Sequence, residues 1–261
     1  MFKYIFDLIN DTAWYNGLIL KNGDKIIIFV YLGMIFAVAA AAYLLGSINT
    51  AVITSKLMYG EDIRTKGSGN AGMTNMMRSY GIVPALLTLL GDMLKTLFGM
   101  FFGTCVLGLN GAYIAGLFCV LGHIFPIYYR FKGGKGVAAT VMVVLYLDLK
   151  VFVLFILLFV GIVWVTKYLS LASVMCELFM PLLLYRADNV VTDRWLRLII
   201  MLILGLTVVY MHRSNIKRIM DGNENKFSFK KTKKPIKNTG ESLQNDNLAE
   251  NNSENTDADI K

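Results

Sequence analysis

Three stretches of this 261-residue chain concentrate side chains suited to phosphate chemistry. The first runs Asp62-Ile63-Arg64-Thr65-Lys66-Gly67-Ser68-Gly69-Asn70-Ala71-Gly72-Met73-Thr74-Asn75-Met76-Met77-Arg78. Glycines at 67, 69 and 72 let the backbone turn sharply and bring N–H groups close to a ligand. Ser68, Asn70, Thr74 and Asn75 add neutral donors, and Arg78 adds a fork matched to phosphate oxygens. The glycines also fit G-x-G-x-x-G, but no βαβ unit surrounds them and the flanks are apolar, which excludes a dinucleotide fold. A merely flexible polar loop would not need this many phosphate-compatible groups.

The second stretch is Gly122-His123-Ile124-Phe125-Pro126 followed by Phe131-Lys132-Gly133-Gly134-Lys135-Gly136-Val137. Two lysines separated by a glycine pair can both face one anion. The spacing is not that of a Walker A loop, and no Ser or Thr follows Lys135, so ATP is not implied. His123 stands at a span end without an adjacent Ser or Cys, a setting more usual for a structural histidine than a catalytic one. In the third stretch His212 and Asn215 share a helix face, with Arg213, Lys217 and Arg218 beside them. A basic membrane anchor explains those cations but not the His and Asn. Asp92 and Lys95 lie three apart inside an apolar run, close enough to pair across one helical turn. Charges in a bilayer face each other or a polar cavity, so a structural ion pair and a site role both stand.

These groups must be carried by membrane helices. Of all residues 56% are hydrophobic and 17% charged, against about a quarter charged in soluble domains. A bilayer core takes about 20 mostly apolar residues per helix. Apolar runs at 26–48, 82–109, 112–128, 137–147, 151–165, 169–185 and 195–211 give about seven passes, the second and third joined by a turn at Asn110-Gly111. The fourth is short, so a short or partly re-entrant helix is expected there. A five-pass count survives if that segment is re-entrant and one neighbour interfacial. Lys56, Arg64, Lys66, Arg78, Arg130, Lys132, Lys135, Lys167, Arg213, Lys217 and Arg218 fall in one set of loops. By the positive-inside rule that set is cytoplasmic, with the N-terminus outside and the C-terminus inside. The alternate loops hold Asn110, Lys150 and the 186–194 stretch, where two aspartates offset the arginines. Seven passes place every polar motif on one side. The expected fold class is therefore all-α and polytopic.

Residues 1–25 read as an extracytoplasmic extension, with Phe2, Tyr4, Phe6 and Trp14 on an interfacial helix. Asp7, Asn10 and Asp11 interrupt its apolar run and no Ala-x-Ala-like site follows, which argues against a signal peptide. The membrane domain is expected over 26–222. Residues 223–261 are polar enough to stay disordered, with 226–237 either touching anionic headgroups or simply solvated. The net charge of +8 lies outside the spans and points to lipid, not nucleic acid. Cys105, Cys119 and Cys176 show no CxxC spacing, so they read as packing residues and no metal is expected.

Taken together, the stretches resemble the bacterial PlsY family, acyl-phosphate-dependent glycerol-3-phosphate acyltransferases of the inner membrane, over most of residues 40–226. Its first motif is matched by Gly46-Ser47 through the 62–78 run, its second by 122–126 with 131–136, and its third by His212-Arg213-x-Asn215-Ile216, Arg218 and Gly222-x-Glu224. Ser170-Leu171-Ala172-Ser173 fits as well. Asn49 departs from the family's usual proline, which leaves the kink after Ser47 to be found. The resemblance implies an enzyme of phospholipid synthesis in the cell membrane, its active site facing the cytoplasm. It would transfer a fatty acyl group from acyl phosphate to glycerol 3-phosphate, giving lysophosphatidic acid and phosphate. No cofactor is implied; membrane lipid and the enzyme that makes acyl phosphate are the implied partners. The chain also lacks the His-x-x-x-x-Asp pair of CoA- and carrier-protein-dependent acyltransferases, since Tyr128 and Lys217 stand at the fifth positions after His123 and His212.

Carried onto this chain, the resemblance assigns Lys135, Ser173, His212 and Asn215 to catalysis. Substrate binding falls to Ser47, Arg64, Ser68, Gly69, Asn70, Thr74, Arg78, Lys132, Gly133, Gly134 and Glu224. The glycerol hydroxyl is then the nucleophile, without an acyl-enzyme. Two other classes compete: a transporter for a phosphorylated metabolite, for which the expected internal repeat is missing, and a membrane scaffold, which leaves the glycine-rich loops unexplained.

Overall fold

A computed structural model describes residues 25–190 and 192–227, and every regular element among them is helical. The interfacial helix expected at 2–14 and the tail beyond 227 lie outside the described residues. In order the elements are α1 (Lys25–Gly46), α2 (Thr50–Tyr59), a 3-10 turn (Ile63–Thr65), α3 (Met73–Tyr80), α4 (Ile82–Ile124), a second 3-10 turn (Ile127–Tyr129), α5 (Val137–Leu147), α6 (Leu149–Thr166), α7 (Leu169–Ala187), α8 (Arg194–Met211) and α9 (Arg213–Met220). Five stretches are long and apolar enough to cross a membrane: Phe29–Tyr59, Ile82–Tyr129, Leu149–Thr166, Leu169–Ala187 and Arg194–Met211. Their outer faces expose Phe29, Phe36, Leu157, Trp164 and Leu206, a surface that only hydrocarbon makes favourable.

The long helix α4 is two antiparallel arms. A straight rod of its 43 residues would be about twice as long as a bilayer core is thick. Its backbone leaves helical space at Leu107 (φ −130°, ψ 18°) and Gly108 (φ 59°, ψ −145°), and the positive φ suits glycine. The arms then meet backbone to backbone, since a Cβ on Gly103 would lie 2.3 Å from the Gly111 carbonyl oxygen. The reversal thus falls at Leu107-Gly108, ahead of the Asn110-Gly111 position the sequence suggests, because both of those residues are engaged elsewhere. Gly111 makes the arm-to-arm contact and Asn110 accepts a bond from Arg197 at 2.9 Å.

Helix α1 packs along the second arm just as closely. A Cβ on Gly122 would lie 2.3 Å from the Tyr43 carbonyl oxygen, and Cys119 Sγ donates to the Ala42 carbonyl at 3.2 Å. After Gly46 the chain breaks and restarts as α2, where Asn49 Oδ1 accepts the Val52 N–H at 3.0 Å. The kink after Ser47 is therefore present without proline, set by an asparagine N-cap.

The short α5 has 11 residues, about 16 Å of rise. It runs from Gly136 to the level of the α4 reversal, where the Tyr146 and Thr104 hydroxyls are 2.7 Å apart. Asp148 then caps α6 by accepting the Val151 N–H at 2.8 Å. At this end of the bundle Arg197 is 2% exposed and held by Asp188 at 2.7 Å and Asn110. Residues 223–227, assigned to the polar tail on composition, fold back onto the helices. Glu224 bonds to Ser170, and the Phe227 N–H donates to the Lys167 carbonyl at 2.7 Å.

Close packing of this kind predicts unequal glycine substitutions. Gly122→Val meets backbone that cannot give way and should cost about 1–3 kcal/mol or more. Gly33→Ala, with nothing within 4 Å of the added carbon, should leave the unfolding temperature in detergent unchanged. Equal behaviour of the two variants would contradict the α1–α4 contact.

Candidate active site

The 62–78 loop is organised by one buried side chain. Asn75, 1% exposed, lies near the start of α3 and turns its amide back into the loop. Its Oδ1 accepts the Ser68 N–H at 3.0 Å, and its Nδ2 donates to the carbonyls of Ile63, Lys66 and Asn70 at 3.2, 3.0 and 3.0 Å. Gly67 has φ 54°, and a Cβ there would lie 2.3 Å from Asn75 Oδ1, so this turn needs glycine. The arrangement leaves Ser68, Gly69, Thr74 and Arg78 exposed and Asn70 half-buried. No side chain caps the first turn of α3, a helix N-terminus that favours an anion.

Arg64 serves to strap loops together. Asp62 Oδ2 accepts its Nη2 at 2.7 Å, while its Nη1 donates to the Tyr129 carbonyl at 2.9 Å and to the Lys132 carbonyl at 3.4 Å. Beside Arg64, the Asp62 carboxyl is held below its usual range, against the opposing effect of burial. Ser47 is buried as well. Its hydroxyl donates to the Tyr43 carbonyl at 2.8 Å and accepts the Ile127 N–H at 3.4 Å. Both residues fix the frame around the site, and their polar atoms are engaged with protein.

The glycine pair folds against the end of α4, with Gly133 N–H donating to Ile124 and Gly134 N–H to His123 at 3.2 and 3.1 Å. Lys132 stays exposed. The next lysine turns inward, and Lys135 Nζ donates to Asn215 Oδ1. Burial pushes Lys135 down to about 8, the Arg218 and Arg78 charges act in the same sense, and Glu224 opposes them. The two loops are thus within electrostatic reach of each other.

Glu224 is the hub of the third cluster. Its Oε1 accepts from Ser170 at 2.8 Å and Asn215 Nδ2 at 2.7 Å, and its Oε2 from Arg218 Nε at 2.8 Å. Burial raises this carboxyl, but the Asn215, Ser170 and Arg218 bonds outweigh it and hold it below its usual range. His212 Nδ1 sits 2.8 Å from the Val208 carbonyl. A carbonyl only accepts, so Nδ1 carries the hydrogen and Nε2 of the neutral ring is an acceptor. Burial is the main cause that brings His212 down to about 4, so the ring is neutral near pH 7. Ser173, one turn from Ser170, is buried and donates to the Leu169 carbonyl at 2.9 Å, which leaves its oxygen free to accept.

Of the residues expected from the sequence, Lys135, Asn215 and Glu224 are joined by hydrogen bonds. His212 stands next to them and Arg78 close enough to act on Lys135. Asn75, read from the sequence as a ligand donor, is spent on bracing its own loop, while Ser170 and Arg218, present in the matched motifs without a site role, hold Glu224. For Asn75 the available signal is an amide just after three glycines. For Ser170 and Arg218 it is their place in the matched motifs, and the role comes from bonds to Glu224, 54 and 6 residues away along the chain.

A family model described as glycerol-3-phosphate acyltransferase matches residues 36–222. A glycerol-3-phosphate acyltransferase of Carboxydothermus hydrogenoformans is 38% identical over 198 residues, 76% of this chain and 99% of that protein. One of Finegoldia magna is 40% identical over 186 residues, covering 71% of this chain and 92% of its own length. Among solved structures, PlsY, an integral membrane glycerol 3-phosphate acyltransferase in its glycerol 3-phosphate form, superposes with a TM-score of 0.68 at 34% identity over 74% of this chain and 96% of that one. Its lysophosphatidic acid form gives 0.67 at 33% identity.

If Asn75 holds the first loop, Asn75→Ala leaves the Ser68 N–H without its partner and takes one of two donors from each of the Ile63, Lys66 and Asn70 carbonyls. Losing such bonds costs about 1–3 kcal/mol per buried group left unsatisfied. Hydrogen exchange at Ser68 should accelerate accordingly. Exchange as slow as in the parent would show that the loop is held by something else.

Proposed function

This chain belongs to the glycerol-3-phosphate acyltransferase family, and from that premise we propose that its acyl donor is a fatty acyl phosphate. It is a multi-pass membrane acyltransferase acting on glycerol 3-phosphate. The proposed products are 1-acyl-glycerol 3-phosphate and inorganic phosphate. The observation that carries this reading is the excess of phosphate-binding groups over bases. Arg78, Lys135, Arg218 and the 67–74 donors surround a site whose one histidine contact, His212, is a weak base.

In the reaction the glycerol hydroxyl attacks the acyl carbonyl. The new ester bond forms as the bond from the carbonyl carbon to the phosphate oxygen breaks, and the departing phosphate takes the hydroxyl proton. Atoms and charge balance without water. The PlsY structures, one with glycerol 3-phosphate and one with lysophosphatidic acid, support the corresponding acceptor and product here. His212 Nε2 and the Ser173 oxygen accept hydrogen bonds and orient the acceptor. Asn215, fixed by Glu224, positions Lys135. Lys135, Arg78 and the first-loop donors neutralise the two phosphates, which is stabilisation by groups already in place. Gly69, Asn70, Lys132, Gly133 and Gly134 complete the binding surface, with Ser47 and Arg64 fixing its edges.

We place the site on the cytoplasmic side of the cell membrane, with seven passes, because the basic loops gather at this end. In this reading 26–222 with Glu224 is the catalytic domain, flanked by an N-terminal extension and a C-terminal tail, and contact with the enzyme that supplies acyl phosphate falls on the same face.

Purified protein given palmitoyl phosphate and labelled glycerol 3-phosphate should form lysophosphatidic acid, and palmitoyl-CoA should not replace the donor. Product from palmitoyl-CoA alone would overturn the donor assignment, and a trapped acyl-protein adduct the direct transfer. Arg78→Ala should lower kcat/KM more than about thirtyfold, a loss of roughly 2 kcal/mol or more. Near-normal turnover removes Arg78 from the site. The Lys135 cation exists below its pKa, so kcat/KM should fall as pH rises through about 8. That limb should vanish in Lys135→Arg, whatever activity remains.

A further inference from the structure

Asp92, Lys95 and His123 lie within the two arms of α4, none more than 5% exposed, where unpaired charge is costly. Asp92 Oδ1 accepts from Lys95 Nζ at 2.8 Å and from the Thr50 hydroxyl at 2.7 Å, while His123 Nδ1 lies 3.2 Å from both Asp92 Oδ1 and Lys95 Nζ and accepts from the ammonium. A hydroxyl and an imidazole on the same buried ion pair exceed what two neighbours on one helix need for mutual neutralisation. Two of these groups also hold backbone at the border of the site. Lys95 Nζ donates to the Ile48 carbonyl at 2.6 Å, in the break between α1 and α2. The His123 carbonyl accepts the Gly134 N–H, and its ring lies directly against that glycine. A Cβ on Gly134 would sit 2.1 Å from His123 Nε2 and 2.9 Å from the Ala71 carbonyl oxygen. Gly134 is therefore held between the His123 ring and the 62–78 loop, one residue before Lys135.

We propose that Asp92, Lys95 and His123 form a positioning device that sets the 133–135 loop against the 62–78 loop and so keeps the spacing of the phosphate site. The inference rests on reading those loops as the glycerol 3-phosphate site. None of the three residues touches substrate in this scheme. Their effect comes from shared bonds: moving any one donor leaves a buried partner unsatisfied, so Ile48, His123 and Gly134 are held in one fixed relation.

A purely structural ion pair behaves differently, because replacing both charges by neutral groups of similar volume is often neutral or stabilising. The double variant Asp92→Asn with Lys95→Met separates the two cases. Its thermal unfolding should resemble the parent's. Its glycerol 3-phosphate Kd by calorimetry, and the KM, should rise about tenfold to a hundredfold, as expected of a small misplacement, while kcat changes much less. A folded double variant with parental Kd and KM overturns the proposal. Should that variant fail to fold, His123→Asn and His123→Ala decide. The Asn amide oxygen can accept from Lys95 in place of Nδ1 and should recover part of the affinity lost in the Ala variant. Equal affinity in the two overturns the proposal. A parent protein that binds glycerol 3-phosphate without using acyl phosphate counts against the donor alone, because the affinity comparisons still report the loop spacing.

Discussion

Close backbone contact between α1 and the returning arm of α4 is the constraint on which the rest of this structure depends. Helices in lipid gain little from the hydrophobic effect against one another and associate where small residues let their backbones meet. Here the meeting points are Gly122 against Tyr43, Cys119 against Ala42, and Gly103 against Gly111 within α4 itself. The pairing brings the end of α1 beside the end of α4. The polar segments that follow, 47–81 and 125–136, therefore emerge side by side. Tyr43, whose hydroxyl donates to the Phe125 carbonyl at 2.7 Å, and Ser47, bonded to Ile127, secure that junction.

The two ends of the bundle handle charge in opposite ways. At the α4 reversal, Arg197 is enclosed by Asp188, Asn110 and the Val190 carbonyl and lies over the Tyr113 ring. Its donors are used within the protein, as a buried guanidinium requires. At the other end Arg218 pairs with Glu224, and Lys135 is pushed down to about 8 chiefly by burial and further by the like charges of Arg218 and Arg78. A perturbed cation in a polar recess marks a binding site more firmly than a count of basic residues does.

Glu224 shows how the site can be ordered before its ligand. A carboxylate does not bind phosphate, yet here it aligns Ser170, Asn215 and Arg218 at once. Asn215 then presents its oxygen to Lys135. Catalysis of acyl transfer by positioning needs groups fixed in advance of the reaction. The same logic places Asn75 inside the first loop, where it ties the glycine turns to the start of α3.

Sequence by itself determined the class, the polar motifs and the end of the molecule at which they collect. Those features rest on the transfer free energy of each residue and on spacing along one chain, both readable without a partner. The α1–α2 break was legible only in part: the run read through Ile48 ends as a helix at Gly46, and an Asn49 cap stands where the family has proline. The α4 turn was displaced from Asn110-Gly111 because those two residues have tertiary partners. Arg64 and Ser47, read as ligand contacts, are tied to backbone atoms 65 and 80 residues away. Lys135 and Asn215 are also 80 residues apart, and Thr50 and Asp92 are 42 apart. Such pairings are set by which helix faces pack together, a property of three-dimensional fit that no local pattern encodes; only the tertiary structure decided them.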